Sequence, residues 1–160
     1  MDSSRDFFLP EEELMPLLRE RLALGQKVRW LPFRGVSMLP LLRQGIDAVE
    51  IAPLPENLSK YDLPVYRYPS GKYVMHRIVA VKDDHCLCLG DNTYEYEKIT
   101  RDMMLGIVSA IRRGEKRVEA TSPAYQLYCR IWVALFPARK FLHRVWGWLK
   151  RRIKKLLRRS

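Results

Sequence analysis

The chain has 160 residues, 48% of them apolar, which suits one domain with a modest core and excludes a chain disordered by composition. Its net charge of +11 is confined to one end: residues 1–120 hold 18 Lys+Arg against 18 Asp+Glu, while residues 121–160 hold 11 Lys+Arg and no acid, so a neutral body carries a cationic C-terminal segment. Three cysteines, Cys86, Cys88 and Cys129, form no framework spacing, which argues against a disulfide scaffold and for a reducing compartment.

The opening stretch, MDSSRDFFLPEEEL, is acidic and broken by Pro10. It lacks the basic and apolar regions of a signal peptide. No stretch reaches the ~18 uninterrupted apolar residues of a spanning helix, so the chain is expected not to cross a membrane by one. Residues 11–24 predict a helix, with Pro10 at its start, Glu11 to Glu13 at its positive end and Gly25 at its stop. Pro16 interrupts the pattern, and Leu14, Leu17, Leu18, Leu22 and Leu24 offer a stripe to bury.

From Lys27 the period shortens. KVRWLPF and DAVEIAP (47–53) read as strands, and 53–64 is a Pro-rich loop. Residues 63–84 read as a hairpin: a strand, a turn at Pro69-Ser70-Gly71, then a longer strand over 72–82 that puts Val74, His76, Ile78 and Ala80 on one face. HCLCLG (85–90) follows an Asp83-Asp84 turn as a third strand, and MLGIVSAIRRG (104–114) is a last one. The body is a β-rich α+β domain without internal repeats. His85, Cys86 and Cys88 lack the fourth ligand that zinc requires, and buried strand thiols are the simpler reading, so neither metal nor cofactor is expected.

After Thr121 the pattern is helical again, with Pro123 placed to start one helix and Pro137 to break it. Phe141, Leu142, Val145, Trp146, Leu149, Ile153, Leu156 and Leu157 recur at helical spacing, and the remaining face is Arg and Lys. Ten Lys+Arg and no acid between Arg139 and Ser160 fit an in-plane helix on an anionic membrane. Its contacts would be Trp146, Trp148, Lys150, Arg151, Arg152, Lys154 and Lys155. The plainer alternative is a stripe packed on the body. Nucleic acid is disfavoured, because Trp and Leu on one face suit lipid better than phosphate. The organisation expected is a helical segment over 1–26, a β domain over 27–120 and a basic amphipathic tail over 121–160.

One stretch suggests chemistry. RGVSMLPLL (34–42) sets Ser37 between a glycine and an apolar run, where it either caps a turn or acts as a nucleophile, and a serine nucleophile needs a base. Of three histidines, His143 lies in the basic tail and His85 in a turn, whereas His76 lies on a face that should be buried. A buried imidazole needs a partner, either a backbone carbonyl or Ser37 with an acid behind it. Asp91, in the turn GDNTYEYEK, is one acid that the third strand would bring near.

Three boxes in order carry a family resemblance. GVSMLPLLRQG resembles the nucleophile box of the signal peptidase I family, KYVMHRIVAV its general-base box and LGDNTYEYE its Gly-Asp-Asn box, together covering about residues 27–112. LexA-type self-cleaving proteases share the first box and the β-fold and resemble the chain less in the other two. The resemblance implies a signal-peptidase/LexA-like β-domain with Ser37 as nucleophile and His76 as general base. The histidine, in place of the bacterial lysine, resembles the Ser/His branch of the family. A backbone N–H near Ser37 would serve the oxyanion hole, with Met38 and Pro40 beside the substrate pocket. At the positions where that branch carries its orienting acid this chain has Tyr96 and Glu97, so the acid is Glu97, Asp91 or absent. Asp47, one residue later than the family's usual Gly-Asp, suggests a bulge.

The function expected is a serine endopeptidase cleaving a leader or precursor peptide, in the cytoplasm and peripheral at the inner face of the cell membrane. The alternatives are a catalytically silent peptide-binding module and a LexA-like self-cleaving regulator. The regulator is disfavoured because the first 26 residues hold no helix-turn-helix.

Overall fold

The computed structural model describes residues 11–32 and 34–157, and the side chains of residues 13–29 and 34–152 among them. The fold is α+β and mainly β. Helix α1 (Glu11–Ala23) precedes nine strands: β1 (Val28–Pro32), β2 (Asp47–Ala52), β3 (Pro64–Arg67), β4 (Tyr73–Met75), β5 (Arg77–Val81), β6 (Cys86–Leu89), β7 (Glu97–Ile99), β8 (Met104–Arg113) and β9 (Lys116–Glu119). Helices α2 (Pro123–Ala134) and α3 (Phe136–Leu157) close the chain. The reading that begins a helix at Pro10 falls on a residue outside the described ones.

Helix α1 ends as its sequence dictates. Gly25 takes a φ of +74°, and the N–H groups of Gly25 and Gln26 return to the carbonyls of Leu22 and Arg21. Pro16 is accommodated within the helix. The buried stripe is narrower than expected: Leu18 and Leu22 enter the core with Met15 beside them, while Leu17 and Leu24 face outward. At about 100° per residue, Leu17 lies roughly 100° round from Leu18, off the 15–18–22 line that meets the sheet, and Leu24 follows the end of the helix.

Two antiparallel sheets form. The larger is organised on β8, which pairs with β2 along one edge and with β3 and then β9 along the other; β1 extends it beyond β2 and β4 beyond β3. The smaller is β5-β6-β7. The hairpin expected over 63–84 is therefore corrected in its second arm. β4 pairs with β3 in the large sheet, β5 pairs with β6 in the small one, and the chain changes sheets at His76. A single strand over 72–82 cannot form because the two halves hydrogen-bond to different partners. Strands β7 and β9 were not expected; both are short, and β7 lies in a polar segment without alternation.

Two cores follow. The larger gathers Leu18, Leu22, Leu42, Val49, Ile51 and Ile111 with Tyr125 and Cys129 of α2; the smaller joins Tyr66 to Ile78, Cys86, Cys88 and Ile99. The boundary drawn after residue 120 is thus not a packing boundary, since α2 completes the core of the body. Ser122 caps α2 by accepting the Tyr125 N–H, and Pro123 occupies its first turn. Pro137 stands in the first turn of α3, so the break falls before it, at Leu135. The register irregularity of β2 lies between Glu50 and Ile51, not at Asp47; Asp47 is buried and accepts three hydrogen bonds from Arg43.

Candidate active site

Where the chain crosses between sheets, His76 is buried at 4% exposure. Its Nδ1 lies 2.9 Å from Glu97 Oε2 and 3.1 Å from the Tyr66 hydroxyl. Tyr66 also donates to the same carboxylate oxygen. Glu97 opens β7, Tyr66 belongs to β3, and β7 pairs with β6, which pairs with the β5 that follows His76, so the small sheet brings the acid to the imidazole. Tyr68, one residue past β3, turns its ring edge to face against Tyr66 at 5.7 Å, and both phenols help to hold the Glu97 carboxyl down.

Burial pushes the Glu97 carboxyl upward, but hydrogen bonds from His76, Tyr66 and Tyr68 outweigh it and hold the group down at about 2. Burial and the neighbouring carboxylate push the Tyr66 phenol well above its ordinary range, so it stays protonated and donates. An ionised carboxylate accepts, which makes Nδ1 the imidazole's N–H and leaves Nε2 with the lone pair. Nε2 is fully buried and has no hydrogen-bond partner among the described residues.

Ser37 begins a turn whose backbone is tied to the Gly90 turn beside this histidine, and its hydroxyl makes no hydrogen bond to Nε2. Asn92 donates its backbone N–H to the Ser37 carbonyl at 2.7 Å and its side-chain amide to Val36 O at 3.2 Å. Gly90 packs into the junction: a Cβ there would lie 2.8 Å from the Ser37 carbonyl oxygen and 3.0 Å from His76 Cδ2, the carbon bonded to Nε2. Only glycine permits that approach of serine backbone and imidazole edge. Thr93 closes the turn by accepting the Gly90 N–H.

Asp91 does not join them. Its carboxylate takes a bidentate pair from Arg77, at 2.9 and 2.7 Å, and a third bond from the Tyr128 hydroxyl. The reading that set Asp91 behind His76 is corrected on geometry: consecutive residues of an extended chain point opposite ways, so Arg77 takes Asp91 while His76 takes Glu97. Met38, expected beside a substrate pocket, is a core residue at 3% exposure and offers no surface to a ligand. Pro40 is exposed.

The other expectations can be located too. Cys86 and Cys88 are buried in the small core, and burial pushes the Cys88 thiol up to about 12. His85 pairs with Asp84 at 2.6 Å. Trp146, Trp148, Lys150, Arg151 and Arg152 all lie along α3 and are at least partly exposed; Lys154 and Lys155 fall on its last turns, where side chains lie outside the described ones. Among the described residues no helix is long and apolar enough to cross a membrane. Tyr66 and Tyr68 are the site residues that sequence reasoning missed. Two tyrosines two apart, in the sequence VYRY, were the available signal.

No protein-family model, curated protein or solved structure matches this chain.

Proposed function

We propose that this chain is a hydrolase using an activated serine, and more narrowly a serine endopeptidase of the signal-peptidase type, on a β-fold of that kind. One observation carries the reading. A buried histidine has its Nδ1 held by an ionised carboxylate and its Nε2 left unpaired, next to a turn that grips the backbone of Ser37. Buried imidazole nitrogens are mostly hydrogen-bonded, so an unpartnered Nε2 calls for a role.

In this mechanism Nε2 takes the proton of Ser37 Oγ as the oxygen attacks the scissile carbonyl carbon. The tetrahedral intermediate collapses with cleavage of the C–N bond, and Nε2 returns the proton to the leaving amine. Water, deprotonated by the same Nε2, then hydrolyses the ester on Ser37. Glu97 keeps the imidazole in the tautomer that can accept and stabilises its cation; Tyr66 and Tyr68 hold Glu97 ionised and in place. A leader or precursor peptide is the substrate class that the sequence boxes suggest.

The test is labelling by a fluorophosphonate, read by intact mass and peptide mapping across pH. Stoichiometric modification of Ser37, lost in Ser37→Ala and slowed at least about a hundredfold in His76→Ala, is the expected result. Absence of labelling at every pH, with the fold intact by circular dichroism, would overturn it and leave a peptide-binding module.

A further inference from the structure

Helices α2 and α3 have two faces. Inward, Tyr125, Cys129, Trp132 and Phe136 follow at helical spacing and fasten the pair to the body. Arg139 and the Trp132 indole both donate to the Asp91 carbonyl, His143 stacks on Tyr94 at 4.1 Å, and Phe136 packs on Tyr96. The last bond of α2, Leu135 N–H to Ile131 O, and the first of α3, Arg139 N–H to Leu135 O, meet at the break.

Outward, Leu127, Ile131, Leu135, Leu142, Val145 and Leu149 form one apolar line, widened by Phe141, Trp146 and Trp148. All nine are between 39% and 66% exposed. The plainer expectation, that this stripe packs on the body, is not what the fold does. Monomeric proteins rarely expose an apolar strip of this length without a use for it.

Charge selects the occupant. Lys140, Arg144 and Arg151 line the side of α3 away from the stripe, Lys150 lies over the Trp146 ring at 5.2 Å, and Arg152 lies over Trp148 at 4.5 Å. From Arg139 onward there is no acid at all. A second copy would bring the same cations together, whereas an anionic bilayer neutralises them and takes the leucines and indoles into its headgroup region.

We infer that the outward face of α2–α3 docks in the plane of an anionic lipid surface. The inward face grips the 90–96 loop that also holds Ser37. If Ser37 is the nucleophile proposed above, docking sets its site next to the bilayer and favours substrates presented there; the docking itself does not depend on that reading.

The experiment is co-sedimentation of the full chain with vesicles of phosphatidylcholine alone or with added phosphatidylglycerol, over a salt series. Binding should require the anionic lipid, weaken with salt, fall at least about tenfold in Trp146→Ser/Leu149→Ser and more than about a hundredfold in Lys150→Glu/Arg151→Glu. These residues are exposed, and Ser37 labelling in solution should be unchanged in both variants, which separates lipid docking from catalysis. Three outcomes would overturn the inference: no binding to anionic vesicles; a dimer by analytical ultracentrifugation that buries the face; or tighter binding to duplex DNA than to vesicles, unaffected by Trp146→Ser.

Discussion

Glu97 and Asp91 are both carboxylates within a few residues of one turn, and the difference between them is what each one touches. Glu97 accepts from an imidazole and the Tyr66 phenol, while Asp91 accepts from a guanidinium and a phenol. Only the first arrangement selects a histidine tautomer. Glu97→Gln removes the charge and lets the amide donate, so Nδ1 can become the acceptor and Nε2 the N–H. Labelling of Ser37 should then slow by on the order of 10²–10⁴ with little change in melting temperature. Tyr66→Phe should give a smaller loss in the same direction, because the carboxylate keeps its charge and its bond to Nδ1. A Glu97→Gln protein labelled at the wild-type rate would remove Glu97 from the mechanism.

Among the elements, the large sheet has its own buried carboxylate. Glu50, on β2, is fully covered and draws Lys27, Arg29 beside it on β1, Ser109 on β8 and Arg117 on β9 onto one group. Hydrogen bonding from Arg117 leads, burial opposes it, and Ser109 and Lys27 add to it; together they hold Glu50 at about 2, against 4.5 for an ordinary glutamate. The folded-state value lies below the unfolded one, so the stabilisation is complete above 4.5 and is lost as pH falls toward about 2. Glu50→Gln should lower stability by about 2 kcal/mol at neutral pH and flatten the acid limb of the melting curve. Equal acid slopes for wild type and variant would show that the cluster contributes nothing net. The three cations are partly exposed and regain water when Glu50 is removed, so the cost stays moderate.

Across the whole molecule, the Arg77–Asp91 pair joins parts that sequence separates widely. Arg77 reaches Asp91, the Tyr125 hydroxyl and Cys129 Sγ from the first residue of β5, while the Asp91 backbone receives Trp132 and Arg139. The small sheet, the Gly90 turn and both C-terminal helices are tied at this point. Asp91→Ala strands a buried guanidinium and should cost about 3–5 kcal/mol by urea denaturation, a large part of a domain's total. Labelling of Ser37 per folded molecule should stay within about tenfold of wild type. The opposite pattern, unchanged stability and labelling lost as deeply as in Glu97→Gln, would make Asp91 the acid.

The α+β class, helix α1, most strands and the helical C-terminal segment were legible in the sequence, because each has a local period, a proline or a glycine that any environment would respect. Ser37 and His76 stood out as candidates for a similar reason, a serine in an apolar turn and a histidine on an expected apolar face, and the structure gives a partner acid to His76 alone. The choice of that partner was not legible. Glu97 is held there by a sheet change at His76, by a three-residue strand without alternation and by a tyrosine from another sheet. The fate of the C-terminal stripe was also open, since the spacing that makes a helix amphipathic cannot say which face the body will take. Packing decided both. It covered Tyr125, Cys129 and Phe136 and left Leu127, Ile131, Leu135, Leu142, Val145 and Leu149 outside, and where the chain changes sheets it sent His76 and Arg77 to different acids.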